Sequence, residues 1–137
     1  MGEIRVAVVL TNAVDDELAW DGRIDRADVR RLEVEGVVDT GAVTVVLPAR
    51  VVEQLGVRIR GQRVAQYADG RQEEVGITGP VLFEILGRNT MEEALVLGDE
   101  VLIGQTILEK LDLLADCTRR RLVPNPQHPD QPVLNVK

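Results

Sequence analysis

Residues 32–47 read Leu32-Glu33-Val34-Glu35-Gly36-Val37-Val38-Asp39-Thr40-Gly41-Ala42-Val43-Thr44-Val45-Val46-Leu47. Two valine-rich runs of strand composition flank the segment Asp39-Thr40-Gly41-Ala42. A carboxylate set between two apolar strands is costly to bury unless partners fix it, so Asp39 needs an explanation. Asp-Thr-Gly supplies one. The acid can do chemistry, the small β-branched hydroxyl can tie the loop down, and glycine lets backbones approach where a side chain would collide. The plain alternative is a turn after a strand, because Asp and Gly both favour turns. The surroundings of the tripeptide have to decide.

At 137 residues the chain is expected to be a single domain with a modest core, too small for a two-lobed enzyme. We divide residues 1–137 into a core of about 29–123, an N-terminal extension 1–28 and a C-terminal tail 124–137. Hydrophobic residues make up 45% but aromatics only 2%, namely Trp20, Tyr67 and Phe83, so the core has to be built from Val, Leu, Ile and Ala. The formal net charge of −7 argues against a nucleic-acid partner, because phosphate binding relies on clustered Lys and Arg. The one basic run, Arg119-Arg120-Arg121, reads as a solvated hairpin face.

A single cysteine, Cys117, excludes an internal disulfide framework and suits a reducing cytoplasm; it reads as a small buried apolar residue. The only histidine, His128, lies in the proline-punctuated loop Pro124-Asn125-Pro126-Gln127-His128-Pro129. A Cys/His dyad across that context is not expected, and the chain offers too few nitrogen and sulfur ligands for zinc. No metal and no cofactor are expected. No window approaches the ~20 apolar residues of a membrane span, and Met1-Gly2-Glu3 begins no signal-peptide pattern, so a soluble cytoplasmic protein without a membrane partner is expected.

The period of two and the turn residues place the remaining elements. Ile4 to Thr11 reads as a strand ending at Asn12, and residues 12–28 as polar chain with one or two helical turns anchored by Leu18, Trp20 and Ile24. Pro48 to Gly56 reads as a short helix, with proline at its first position and glycine just past its end. Val64-Ala65-Gln66-Tyr67 and Glu73-Glu74-Val75-Gly76-Ile77 flank Ala68-Asp69-Gly70-Arg71, a strong hairpin signal. Strands are expected at Val81 to Leu86 and Ala94 to Leu97, joined around Gly87-Arg88-Asn89. A fully buried strand Val101 to Gly104 feeds a helix Gln105 to Leu111. Leu113 to Cys117 and Arg121 to Val123 suggest a last hairpin, and Pro132 to Val136 an edge strand.

Three features now stand in order: the Asp-Thr-Gly-Ala loop, a hairpin with Asp-Gly at its tip, and an apolar-apolar-Gly strand entering a short helix. Together, from about Leu32 to Val123, they resemble the retropepsin-like aspartic peptidases, above all small bacterial single-domain members. The motifs that carry the resemblance are Val38-Asp39-Thr40-Gly41-Ala42, Leu102-Ile103-Gly104-Gln105 and Leu111-Asp112-Leu113-Leu114-Ala115-Asp116. The resemblance implies an all-β, retropepsin-like acid-protease barrel with one or two short helices and one lobe per chain. It implies that Asp39 is catalytic, that Thr40 braces two active-site loops across a dimer, and that Gly41 and Ala42 lie beside the substrate backbone. It assigns Tyr67, Ala68, Asp69, Gly70 and Arg71 to a flap, and Ile103 and Gly104 to the strand beneath the loop. Each has a plainer counterpart: Gly104 as a helix start, the hairpin as only a hairpin, Tyr67 as a surface aromatic.

One Asp-Thr-Gly per chain supplies half of a catalytic pair, so the implied enzyme is a homodimeric aspartic endopeptidase acting on peptide substrates. Asp116 does not complete the pair, because Asp116-Cys117-Thr118 lacks the glycine. The competing reading is a catalytically silent dimeric β-domain that binds peptides or scaffolds a partner; a third is a dimer that processes only itself or one partner. In viral relatives the termini interleave at the dimer interface. Here roughly thirty residues precede the approach strand, leaving Ile4 to Thr11 and Val133 to Val136 as the segments available to pair across the dimer.

Overall fold

Side chains that alternate across a strand let one face bury valine and isoleucine while the other stays wet, and that period recurs along most of this chain. The computed structural model describes residues 3–136. Its elements follow in the order β1 (Ile4–Asn12), α1 (Ala13–Trp20), a 3₁₀ turn (Arg26–Asp28), β2 (Arg31–Val38), β3 (Val45–Leu47), α2 (Ala49–Leu55), β4 (Ile59–Gln66), β5 (Gln72–Thr78), β6 (Val81–Ile85), β7 (Arg88–Glu92), β8 (Ala94–Val96), β9 (Val101–Ile103), α3 (Gln105–Leu111), β10 (Leu113–Asp116) and β11 (Arg121–Pro124). Mainly-β architecture with short helices is what the composition implies.

Nine strands form one sheet in the order β4-β5-β8-β3-β9-β2-β1-β6-β7, and β10 pairs with β11 alone. The large sheet keeps two edges, β4 and β7, so the barrel is open. Its core is one apolar cluster that includes Val8, Leu10, Phe83, Ile85, Ile103, Ile107 and Leu111.

The placement of β9 matters most for the site. It runs parallel to β2, with Gly36↔Val101, Val37↔Leu102 and Val38↔Ile103 in register, and antiparallel to β3 at Val46↔Leu102. The strand that enters the Asp39 loop and the strand that leaves it are therefore joined through β9. Gly36 makes room for that strand, since a Cβ there would lie 3.1 Å from both Ile103 Cγ1 and Val8 Cγ2.

Several expectations need correction. Ile4–Asn12 is an interior strand, paired with β2 over Ile4 to Thr11 and with β6 over Val9 to Asn12. Its partners are in its own chain, so it is not a free arm for a dimer. Trp20 anchors nothing: it is 81% exposed. What fixes α1 is polar, with Asn12 Oδ1 accepting from the Asp15 backbone N–H at 3.0 Å and Asn12 Nδ2 donating to Leu55 O at 2.8 Å. Pro48 is the N-cap of α2 rather than its first residue, while Gly56 ends the helix at φ 67° as expected.

The connection expected around Gly87-Arg88-Asn89 is instead the start of a further strand, β7, paired with β6 up to Ile85↔Arg88. The turn between them is Leu86-Gly87, both at positive φ (52° and 78°), the backbone of a two-residue hairpin. Cys117 is exposed, because β10 stops one residue before it. Residues 132–136 form no strand. That tail is strapped down instead, with the Val133 N–H donating to Asp112 Oδ2 at 3.0 Å.

Candidate functional site

Strand β2 delivers the chain to Asp39, whose backbone N–H donates to Ile103 O at 2.9 Å. The chain then turns, with Ala42 N–H donating back to Asp39 O at 3.1 Å. Inside that turn the Gly41 N–H donates to Asp39 Oδ1 at 3.0 Å, an Asp-turn that fixes the carboxylate by its own loop. Among the described residues Asp39 Oδ2 accepts no hydrogen bond from the chain.

The loop is held from beneath by α3. A helix start leaves backbone N–H groups without partners in the helix, and here Gln105 and Thr106 donate theirs to Ala42 O at 2.8 Å and Val43 O at 3.0 Å. Thr106 Oγ1 adds a second bond to Val43 O at 2.6 Å. Loop and helix thus satisfy each other. This approach requires Gly104, because a Cβ there would lie 2.1 Å from Thr44 O and 2.7 Å from Ala42 O. Ile103 and Gly104 therefore lie under the loop.

The loop presents an open face. Asp39 and Ala42 are half-buried, Thr40 and Gly41 are exposed, and Val43 is 77% exposed. The Thr40 hydroxyl makes no hydrogen bond within the described chain. Sequence reasoning missed Val43 and Thr106. The signal available for Thr106 was a hydroxyl one residue into a helix that lacks a side-chain cap at Gly104.

The expected hairpin forms from β4 and β5, closing at Gln66↔Gln72. Its tip is organised: Tyr67 N–H donates to Arg71 O at 2.8 Å, and Gly70 turns the chain at φ 89°. The Arg71 guanidinium stands 4.6 Å over the Tyr67 ring and its Nε donates to Asp69 Oδ2 at 2.8 Å. The Arg71 backbone N–H, and then its side chain, hold the Asp69 carboxyl below its ordinary range, while donation to Glu73 holds the Tyr67 phenol above its own. Ala68, Asp69, Gly70 and Arg71 are exposed. Within one chain the hairpin is an outer part of the sheet, separated from β9 by β8 and β3.

Other singled-out residues lie in structural roles. Asp116 Oδ1 accepts from Arg119 N–H at 3.2 Å in the β10–β11 turn. His128 Nδ1 lies 2.7 Å from Asp112 Oδ2, and the buried Arg88 guanidinium donates to Leu111 O, Asp112 O and His128 O. Among the described residues no group of three or more His, Cys, Asp or Glu side chains is placed to hold a metal ion, and no helix is long and apolar enough to cross a membrane.

Comparison with known proteins extends these observations. The sequence profile of the family described as aspartyl protease matches residues 21–115. No curated protein matches the chain. Among solved structures, EIAV protease complexed with the inhibitor HBY-793 is similar at a TM-score of 0.55 and 21% identity, over 79% of this chain and 86% of that one. The retroviral protease-like domain of Ddi1 from Leishmania major is similar at a TM-score of 0.58 and 19% identity, over 92% of this chain and 90% of that one. At such identities the likeness is one of fold, and the fold is retropepsin-like.

Proposed function

The chain belongs to the aspartyl protease family, and on that footing we propose that it is an aspartic endopeptidase, acting as a homodimer with a water activated between two Asp39 carboxylates. The observation that carries this reading is the half-built site. Each chain offers one carboxylate, bound on one oxygen by its own Gly41 N–H, in a rigid loop with an open face.

Two such carboxylates about 3 Å apart cannot both ionise cheaply, so the pair holds one proton. The ionised member takes a proton from the water as its oxygen attacks the scissile carbonyl carbon, and the protonated member donates to the carbonyl oxygen. The step needs neither metal nor covalent intermediate. Thr40 of each chain braces the two loops, and the Tyr67 to Arg71 hairpin folds over an extended peptide. The exposed thiol of Cys117 suits a reducing compartment, and we place the activity in the cytoplasm.

The test compares wild type with Asp39→Asn, which keeps size and shape but cannot share a proton. Sedimentation equilibrium should give a dimer for both, with peptide hydrolysis by wild type alone along a bell-shaped pH profile. A strict monomer even with a substrate analogue present, or unchanged cleavage by Asp39→Asn, would refute the proposal. Hydrogen exchange at residues 67–71 should slow when a statine-type inhibitor binds; equal exchange would remove the flap assignment.

A further inference from the structure

We propose that Arg30, Arg58 and Arg60 form a binding site for a phosphate group, in a cavity of about 240 Å³ at the base of the β4–β5 hairpin. No carboxylate lines this cavity, although the chain as a whole carries a net charge of −7. The inference does not rest on the proposed peptidase activity.

Each arginine is set there by specific structure. Asp15, buried at the start of α1, takes Arg30 Nε at 2.8 Å on Oδ2 and Arg30 Nη2 at 3.0 Å on Oδ1. That grip fixes the guanidinium plane and leaves Nη1 without a hydrogen bond among the described residues. Nη1 occupies the space in front of Gly56, where a Cβ would lie 1.9 Å from it. Arg60 is the extra residue of a β-bulge, since the β4–β5 register shifts between Ile59 and Gly61. Bulges re-aim a side chain, and here the Arg60 stem passes over Gly79, whose Cβ would lie 3.0 Å from Arg60 Cδ. Arg58 is tied at its carbonyl, which accepts from Gly79 N–H at 2.8 Å.

The charge then selects the ligand. Asp15 neutralises Arg30, while Arg58 and Arg60 make no ion pair among the described residues, so a dianion balances the cavity and a lone carboxylate does not. Guanidinium forks match phosphate oxygens in geometry as well as in charge. The remaining wall includes Val57 and Pro80, apolar surface that suits the organic part of a phosphate monoester.

The experiment is calorimetric titration of the full chain with inorganic phosphate and with phenyl phosphate, in wild type, Arg58→Gln, Arg60→Gln and the distant control Arg119→Gln. Arg30 is left alone, because its removal would strand the buried Asp15. Saturable binding of either probe, weakened about tenfold or more in Arg58→Gln and Arg60→Gln and unchanged in Arg119→Gln, is the expected result. Tighter binding of phenyl phosphate assigns the site to esters, and tighter binding of inorganic phosphate to the free ion; either supports the proposal. No saturable binding by wild type, or equal affinity in all four proteins, overturns it.

Discussion

Gly104→Ala adds one methyl group where the chain has no room for it. The new Cβ would lie 2.1 Å from Thr44 O, 2.7 Å from Ala42 O and 2.8 Å from Thr44 C, all backbone atoms that no rotamer change can move. Relieving that overlap costs about 3 kcal/mol on the scale of overpacked interiors. Lifting the loop also breaks the bonds from Gln105 and Thr106 N–H to Ala42 O and Val43 O, at about 1 kcal/mol each. The expected loss is about 5 kcal/mol. Gly22→Ala is the matched control: it too gains a methyl, but at φ +75° with nothing within 4 Å, so only left-handed strain of about 1 kcal/mol is expected. With a urea m-value of about 2 kcal/mol per molar, the two midpoints should differ by about 2 M at the same protein concentration. If Gly104→Ala is no less stable than Gly22→Ala, the loop is not locked to α3 by that contact and the account of the site's rigidity fails.

Two further predictions follow from the polar ties. Arg30 hydrogen bonds hold the Asp15 carboxyl below its ordinary value of 3.8, so this pair stabilises the fold above that pH and its contribution is lost as pH falls through the lowered folded value. Asp15→Asn should lose about 1–2 kcal/mol at neutral pH, discounted because Arg30 is half exposed, and should show a flatter decline below pH ~4 in urea titrations; an acid limb as steep as that of wild type would contradict this. Asp112 accepts from Asn125, His128 and Val133 while standing at φ 55°, a conformation that asparagine tolerates. Asp112→Asn should therefore keep the end of α3 but speed amide exchange and proteolysis in residues 125–133; unchanged protection would mean that the tail is held elsewhere.

The signals that the sequence carries for the Asp39 loop and the hairpin are local. Gly104 marks a place where backbones must approach and Asp69-Gly70 marks a hairpin turn, two positions where glycine itself carries the information. What failed depended on tertiary context. The turn into β7 carries Leu86 at positive φ, a residue that ordinarily avoids that conformation, so the sequence signals a connection around Gly87-Arg88-Asn89 and not a two-residue hairpin. Trp20, an anchor by its apolar character alone, stands exposed while α1 is held through Asp15 and Asn12, and no hydrophobic pattern reports a buried carboxylate. The tail's valines and leucine suggested a strand, but Asp112 and Arg88 offered its backbone other partners. Nor does the sequence distinguish a strand at the sheet's centre from an appended one, which is why the N-terminal residues were set outside the core.

The three residues of β9 stand more than sixty positions after Asp39 in the chain, yet both strands beside the Asp39 loop are fastened to them. During synthesis the segment carrying Asp39 leaves the ribosome long before Val101 to Ile103 exist, and its loop has neither floor nor helix to rest on. Contacts so distant in sequence require closure of a long loop. The Asp39 loop is therefore complete only once residues 101–106 have joined it, and a nascent or truncated chain that lacks them carries Asp-Thr-Gly without its floor.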